Sequence, residues 1–364
     1  MSAGKIIRRA GWRLGICLLL LVWVFHTIFM TEGRLAWNKT TPWTGLGRFE
    51  QWRVAWHMGP PQLWRNLTLI GPAPLVLSFL IMGSTLLVGV GRWMIALGVQ
   101  GLNLPWTRAL GITFVAHFFN SFLLGSTGGD LMKAYYAARE TDHKKTEAVV
   151  TVFVDRVIGL WSMLLFALAM TAFNIDLLRS HERLKLLMMV ILGMLVVGTG
   201  FVVPAFWGGL SKRWNGARGW LQRLPKGEWL TRSLDSCREF GRSRHFVFKM
   251  AAVSMVLNLA CVLQYVVLAR GLAIDVPVSV WFLIVPSIIC ISALPITPSG
   301  LGVRENLYVA VLAATPFFIP ETSALALSLL AYAGSLFWSV VGGIVYLLLK
   351  DRQHLQEVTE AHAA

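Results

Sequence analysis

Stretches nearly free of charge set the first constraint on this chain. Leu14–Met30, Pro72–Gln100, Val149–Phe173, Leu186–Trp207, Phe246–Ala269 and Ala324–Leu349 are apolar almost throughout. A helix needs roughly 20 such residues to cross about 30 Å of hydrocarbon. Helices satisfy their own backbone hydrogen bonds in lipid, so repeated runs of this length require an all-α, polytopic integral membrane protein. Composition agrees: 56% of the residues are apolar and 14% are charged, against about 25% charged in a soluble domain. The expected organisation is one transmembrane domain. It comprises a first helix with an interfacial segment (1–71), a first half (72–173), a linking helix with a basic loop (186–245) and a second half (246–349).

The net charge of +15 does not point to nucleic acid, because the basic residues sit between the apolar spans, as the positive-inside rule requires. Residues 1–13 hold four basic residues and no acid, and Gly208–His245 holds nine Lys/Arg against three acids. Both termini and that loop are expected in the cytoplasm of a cell (inner) membrane protein, with Thr31–Gly71 outside. The first run ends in bulky residues at Trp23–His26, with no small-residue cleavage site, and reads as an uncleaved helix. Phe49, Trp52 and Trp56 recur at helical spacing, the pattern of an amphipathic helix lying in the interface. Asn38 and Asn66 each open a glycosylation pattern, a weak signal by itself. Cys17, Cys237, Cys261 and Cys290 lie far apart and read as small buried hydrophobes. Neither they nor the scattered histidines have metal spacing, so no metal and no cofactor are expected.

Two further stretches, 106–140 and 281–315, share one layout. Each has an apolar arm, a break rich in Gly, Pro, Ser or Thr, a charged residue, and a second arm too short to span. Two short arms around a break predict a re-entrant hairpin, about six full spans remaining besides; the other reading, two ordinary full helical pairs with the breaks as loops, fits the parity but not the arm lengths. The hairpins follow Pro72 and Phe246 at similar distances, in halves that begin on opposite sides of the membrane. Interrupted segments at matching places of two inverted halves mark a transport site. Asp130 is expected at a helix N-cap with Lys133 one turn on, and Arg304 in the first turn of the matching half-helix. Helix N-termini attract anions. Charges at membrane depth are costly and tend to serve function. Asp155 and Arg156, adjacent on one helix, must therefore find partners elsewhere: Arg304 or Arg139 for the former, Asp130 or Glu305 for the latter. His117, Asn120 and Ser121 share a helix face, and Asn258 and Gln264 invite interhelical hydrogen bonds. Arg92 and Trp93 look like an interface anchor.

These motifs resemble the lysylphosphatidylglycerol synthase transmembrane family, also called flippase-like domain proteins. The resemblance rests on Arg92-Trp93 with Gly101–Pro105, on Asn120 through Gly125–Glu140, on Asp155–Leu160, and on Pro295–Leu307. It implies a module that moves lipids between leaflets. Full-length members add a cytosolic aminoacyl-transfer domain, and a chain ending at Ala364 is not expected to make an aminoacyl-lipid. The expected substrate-binding set is Asn120, Gly128, Gly129, Asp130, Lys133, Arg139, Asp155, Arg156, Ser299, Gly300, Gly302, Arg304 and Glu305. Its ligand would be an anionic phospholipid or polyprenyl-phosphate lipid, and its chemistry binding and release, without enzyme activity. The alternatives are a membrane-embedded transferase on a polyprenyl-phosphate lipid and a non-transporting partner of a lipid-modifying complex. Protein partners stay open between a second copy and a lipid-pathway enzyme.

Overall fold

The computed structural model describes residues 22, 25–26, 29–30, 33–34, 37, 43–122, 128–141, 143–180, 182–207, 227–294 and 300–363. Among these the regular structure is entirely helical. Five helices are long and apolar enough to cross a membrane, at Pro72–Val99, Lys145–Ala172, Glu182–Pro204, His245–Gly271 and Glu321–Leu348. They coincide with five of the six expected spans. The remaining one falls mostly on residues outside the description, although Phe25 and Phe29 are helical there.

In chain order the helices are α1 (Arg48–Leu69), α2 (Pro72–Val99), α3 (Trp106–Phe122), α4 (Gly128–Arg139), α5 (Lys145–Ala172), α6 (Ile175–Ser180), α7 (Glu182–Trp207), α8 (Gly227–Arg242), α9 (Arg244–Gly271), α10 (Val278–Ser292), α11 (Val303–Leu312) and α12 (Glu321–Ala363). Their ends follow local chemistry. Pro72 starts α2, where its missing N–H costs nothing. Gly101 takes φ +65° just after that helix, and Leu102 N–H returns to Leu97 O, a Schellman stop. Ser243 caps α9 by accepting from Phe246 N–H, as N-cap serines do.

The aromatic pattern at Phe49–Trp56 lies on α1, which continues through Pro60 and Pro61 to Leu69. Phe49 and Trp64 are exposed on it, while Ala55, Leu63 and Asn66 are buried. Asn66 donates to Thr322 Oγ1 of α12 at 2.8 Å. That amide is a packing contact, so the second glycosylation pattern is closed off; Asn38 lies outside the described residues. Within the stretch 208–245, α8 packs its Phe240 against Phe206 and Phe246. Burial pushes the neighbouring Cys237 thiol up to about 11.

The two interrupted stretches form helix pairs. Helix α3 packs on α4, and α10 on α11. At 1.5 Å per residue their lengths are about 26, 18, 22 and 15 Å, each short of a 30 Å crossing. Close approach within the first pair depends on Gly129, where a Cβ would lie 2.0 Å from Ala116 O. The pairs turn apolar backs to the core. Ile112, Val115, Tyr136 and Ala137 are buried in one, and Ile284, Ile288, Tyr308 and Leu312 in the other.

Each pair is sheltered by the opposite half of the chain. Helix α2 runs along α9, α3 along α12, and α10 along α5. The third helix of each half thus covers the hairpin of the other. At the α3–α12 contact a Cβ on Gly342 would sit 2.1 Å from Phe114 O, the small-residue packing that membrane helices use.

Candidate functional site

A cavity of about 320 Å³ lies where the hairpins meet the long helices. Helix α3 contributes His117, Asn120 and Ser121; α5 contributes Arg156; the second half adds Gln264, Ser292, Arg304 and Ser335. Two guanidinium groups, one from each half, therefore face one space. The volume is in the range of small-molecule sites.

Arg156 pairs with Asp130 through a hydrogen bond. Asp130 lies in the first turn of α4, two residues inside the helix start at Gly128, and not at the expected N-cap. The hairpin itself supplies a cap, since Asn120 Oδ1 of α3 accepts from Gly129 N–H at 2.9 Å. The side chains of this ion pair keep 34% and 28% of their surface exposed, so solvent or a ligand can reach both.

One residue earlier on α5, Asp155 turns away from the cavity into the core. It accepts from Arg92 Nε at 2.8 Å and meets Lys133 Nζ at 3.6 Å. Lys133 also lies 4.3 Å above the Trp93 ring, whose Nε1–H donates to Thr151. The pairings of Asp155 with Arg304 or Arg139 do not occur: its partners are Arg92 of α2 and Lys133 of α4. Arg92 and Trp93 are likewise no interface anchor. Trp93 is fully buried, and Arg92 carries the charge that a buried carboxylate requires.

At the second hairpin, Gly300 and Gly302 take φ +69° and +82°, a conformation that favours glycine. A Cβ on Gly300 would also lie 2.8 Å from the Ser292 side chain. Glu305 is completely buried. It accepts from Gly302 N–H at 2.6 Å, from Arg304 at 2.6 Å and from Ser328 at 3.2 Å. Arg304 also donates to Ser328 Oγ and lies 4.9 Å from the Tyr332 ring. Glu305 is thus the clamp that closes the start of α11, and Arg304 reaches the cavity with 12% of its side chain exposed.

Of the expected set, Asn120, Arg156 and Arg304 line the cavity and Asp130 flanks it through Arg156. Gly128, Gly129, Gly300 and Gly302 shape the helix starts, while Lys133, Asp155 and Glu305 form buried support. Arg139 is exposed at the far end of α4, about 13 Å of helix from Asp130. Ser299 and the break Gly125–Thr127 lie outside the described residues.

Ser292, Ser335 and Gln264 are cavity residues that the motifs did not single out as ligand groups. Small polar residues in apolar helices give a weak signal, since most pair between helices. His117 does both: it faces the cavity and its Nε2 lies 3.0 Å from Ser335 O. Ser121 and Ser339 join the same seam at 2.5 Å. The role of Arg92 did have a signal, as the sole ionisable residue within α2.

A comparison with curated proteins returns no match. The family described as lysylphosphatidylglycerol synthase TM region matches residues 50–343, which takes in nearly all of α1, α2 through α11 and about half of α12, up to Gly343. With both hairpins, their supporting ion pairs and the cavity inside that match, the chain is a multi-pass membrane protein that belongs to the lysylphosphatidylglycerol synthase transmembrane-region family.

Proposed function

We propose that this protein moves an anionic lipid between leaflets and recognises its phosphate in the central cavity. The observation that carries the reading is the convergence of Arg156 and Arg304 on one cavity from opposite halves. The planar guanidinium fork suits phosphate oxygens. Charge balance supports an anion: Arg92, Lys133 and Arg156 face Asp130 and Asp155, while Arg304 and Glu305 cancel. One positive charge remains among these groups.

In this reading both helix pairs are re-entrant and the two halves are inverted repeats. The short arms and the reciprocal packing, in which each half's third helix shelters the other's hairpin, support that arrangement. Charge distribution along the sequence puts both termini and 208–245 on the cytoplasmic side of the cell membrane. Cysteines introduced at 208–245 should then react with impermeant reagents only from the inner face.

The test is reconstitution of the purified chain in vesicles with a fluorescent phosphatidylglycerol. We expect the labelled lipid to exchange between leaflets faster than in empty vesicles, and faster than a lipid lacking phosphate. No acceleration over empty vesicles would leave the chain as a non-transporting partner. A covalently altered lipid product would replace transport by the transferase reading.

A further inference from the structure

A second cavity, of about 590 Å³, opens between α5 and α7. Its lining is wholly apolar or glycine, with Val157, Leu160 and Trp161 on one side and Gly193 and Gly198 on the other. The single polar group of these side chains, the Trp161 N–H, is already bonded to Thr199 Oγ1 at 2.9 Å. Two pairs of consecutive residues divide between this cleft and the central cavity. Arg156 lines the central cavity and Val157, the next residue, lines the cleft. Ala293 lines the central cavity and Leu294 lines the cleft. Successive residues sit about 100° apart on a helix, so α5 offers a guanidinium to one space and aliphatic surface to the other.

We propose that this cleft holds an acyl chain of the lipid whose phosphate occupies the central cavity. The site deepens the transport reading and rests on it for the head group. Helix α7 turns exposed apolar side chains outward beside the cleft, with Leu186 and Val196 each 64% exposed and Val197 74%. In a bilayer that face meets hydrocarbon, so the medium filling the cleft is acyl chain. The glycines point the same way. A Cβ added at Gly193 or Gly198 would meet nothing within 4 Å, so neither residue serves helix contact as Gly342 does. Their missing side chains leave room. An amphiphile with its phosphate at Arg156 would pass directly from polar to apolar surroundings at the Arg156–Val157 step.

The experiment uses the full chain in phosphatidylglycerol vesicles with a trace of phosphatidylglycerol bearing a mid-chain diazirine. After irradiation, adducts should concentrate on cleft residues of α5 and α7 and exceed those on the outward faces of α2 and α9. The double substitution Gly193→Leu, Gly198→Leu should fold, having space for both side chains. It should lower those adducts roughly tenfold, as when a chain loses about two methylenes of burial. A glycerophosphate photoprobe without acyl chains should still label the central cavity of that variant at the wild-type level. Adducts spread evenly over all outward faces, or unchanged in the double variant, overturn the acyl site. So does efficient disulfide formation between two copies of a Gly198→Cys chain in vesicles, which would make the cleft a contact between chains. The readouts separate the two ideas. Cleft adducts that depend on Arg156, without leaflet exchange, would keep the acyl site and remove transport. Exchange at the wild-type rate in the double variant would keep transport and remove the acyl site.

Discussion

The two helix pairs solve the same problem differently. Both begin a short half-helix inside a protein interior, and both need an acid and a base there. In α10–α11 the acid and the base lie on one arm: Glu305 bonds Gly302 N–H and Arg304 there, takes Ser328 of α12 as a third donor, and is itself fully buried. In α3–α4 the parts come from different helices. Asn120 of α3 bonds Gly129 N–H, Arg156 of α5 meets Asp130, and Lys133 is held by Asp155. The second pair is therefore locked from within, whereas the first can exchange partners. Under the proposed function a ligand anion would compete more easily for Arg156 than for Arg304, and phosphate recognition would fall chiefly on Arg156.

The locked side should show the largest effect on stability. Glu305→Ala leaves the Arg304 charge and the Gly302 N–H without their buried acceptor. Removing one member of a buried pair costs about 3–5 kcal/mol. Thermal unfolding of the detergent-purified protein should report a marked drop or a failure to accumulate. A variant as stable as wild type would show that the α11 start does not depend on this clamp.

On the open side the effect should appear in function first. Arg156→Ala removes charge-assisted hydrogen bonds to phosphate, and one such bond is worth about 1.5–3 kcal/mol, roughly 10- to 100-fold in affinity. The protein should still fold, because the pair it breaks is partly exposed. Leaflet exchange measured at limiting lipid should fall accordingly, with Arg156→Lys between the two. Equal losses in Arg156→Ala and Arg304→Ala, both well folded, would erase the distinction between the hairpins.

A smaller difference lies in the caps. Asn120→Ala removes an acceptor from Gly129 N–H and one tie between α3 and α4. Loss of a side-chain cap costs about 0.5–2 kcal/mol, and unfolding should reveal a shift of that size. No shift would mean that packing of Gly129 on Ala116 alone holds the arms together.

This asymmetry was only half legible in the sequence. Hydropathy marked five helices to within a few residues because a span in lipid tolerates little else. The breaks marked both pairs of short helices, because Gly and Pro interrupt a helix and the arm that follows is too short to span. Adjacency on α5 forces Asp155 and Arg156 apart and left Asp130 or Glu305 as the partner of Arg156; the packing of α4 on α5 selects Asp130. Which partner Asp155 takes was not legible. Arg92 lies 63 residues away, and only the packing of α2 on α5 brings it near. The closure of Arg304 onto its neighbour Glu305 was hidden for another reason. Adjacent residues of a regular helix do not face each other, and this pair meets only where the chain enters α11 from a positive-φ glycine.

The finest probe of the comparison is Asp130→Asn. Asp130 holds Arg156 in a pair whose members are 28% and 34% exposed, and pairs of that exposure contribute about 0–1 kcal/mol. The substitution keeps a polar side chain in the first turn of α4 and removes its charge, at a cost of about 0.3–1 kcal/mol from the helix dipole. Arg156 then no longer has the Asp130 carboxylate to give up when a phosphate arrives. Phosphatidylglycerol should bind more tightly, by at most roughly fivefold, since 1.4 kcal/mol corresponds to tenfold. Binding can be read by titrating the lipid into detergent-solubilised protein. The sign is what matters: Arg156→Ala should weaken binding and Asp130→Asn should strengthen it, whereas Glu305→Gln, inside the closed clamp, should disturb folding before it alters binding. Weaker binding in a folded Asp130→Asn protein would mean that the carboxylate positions Arg156 and does not compete for it. Unchanged binding with leaflet exchange abolished would instead assign Asp130 to a proton-carrying step, and the openness of the first hairpin would serve protons as well as phosphate.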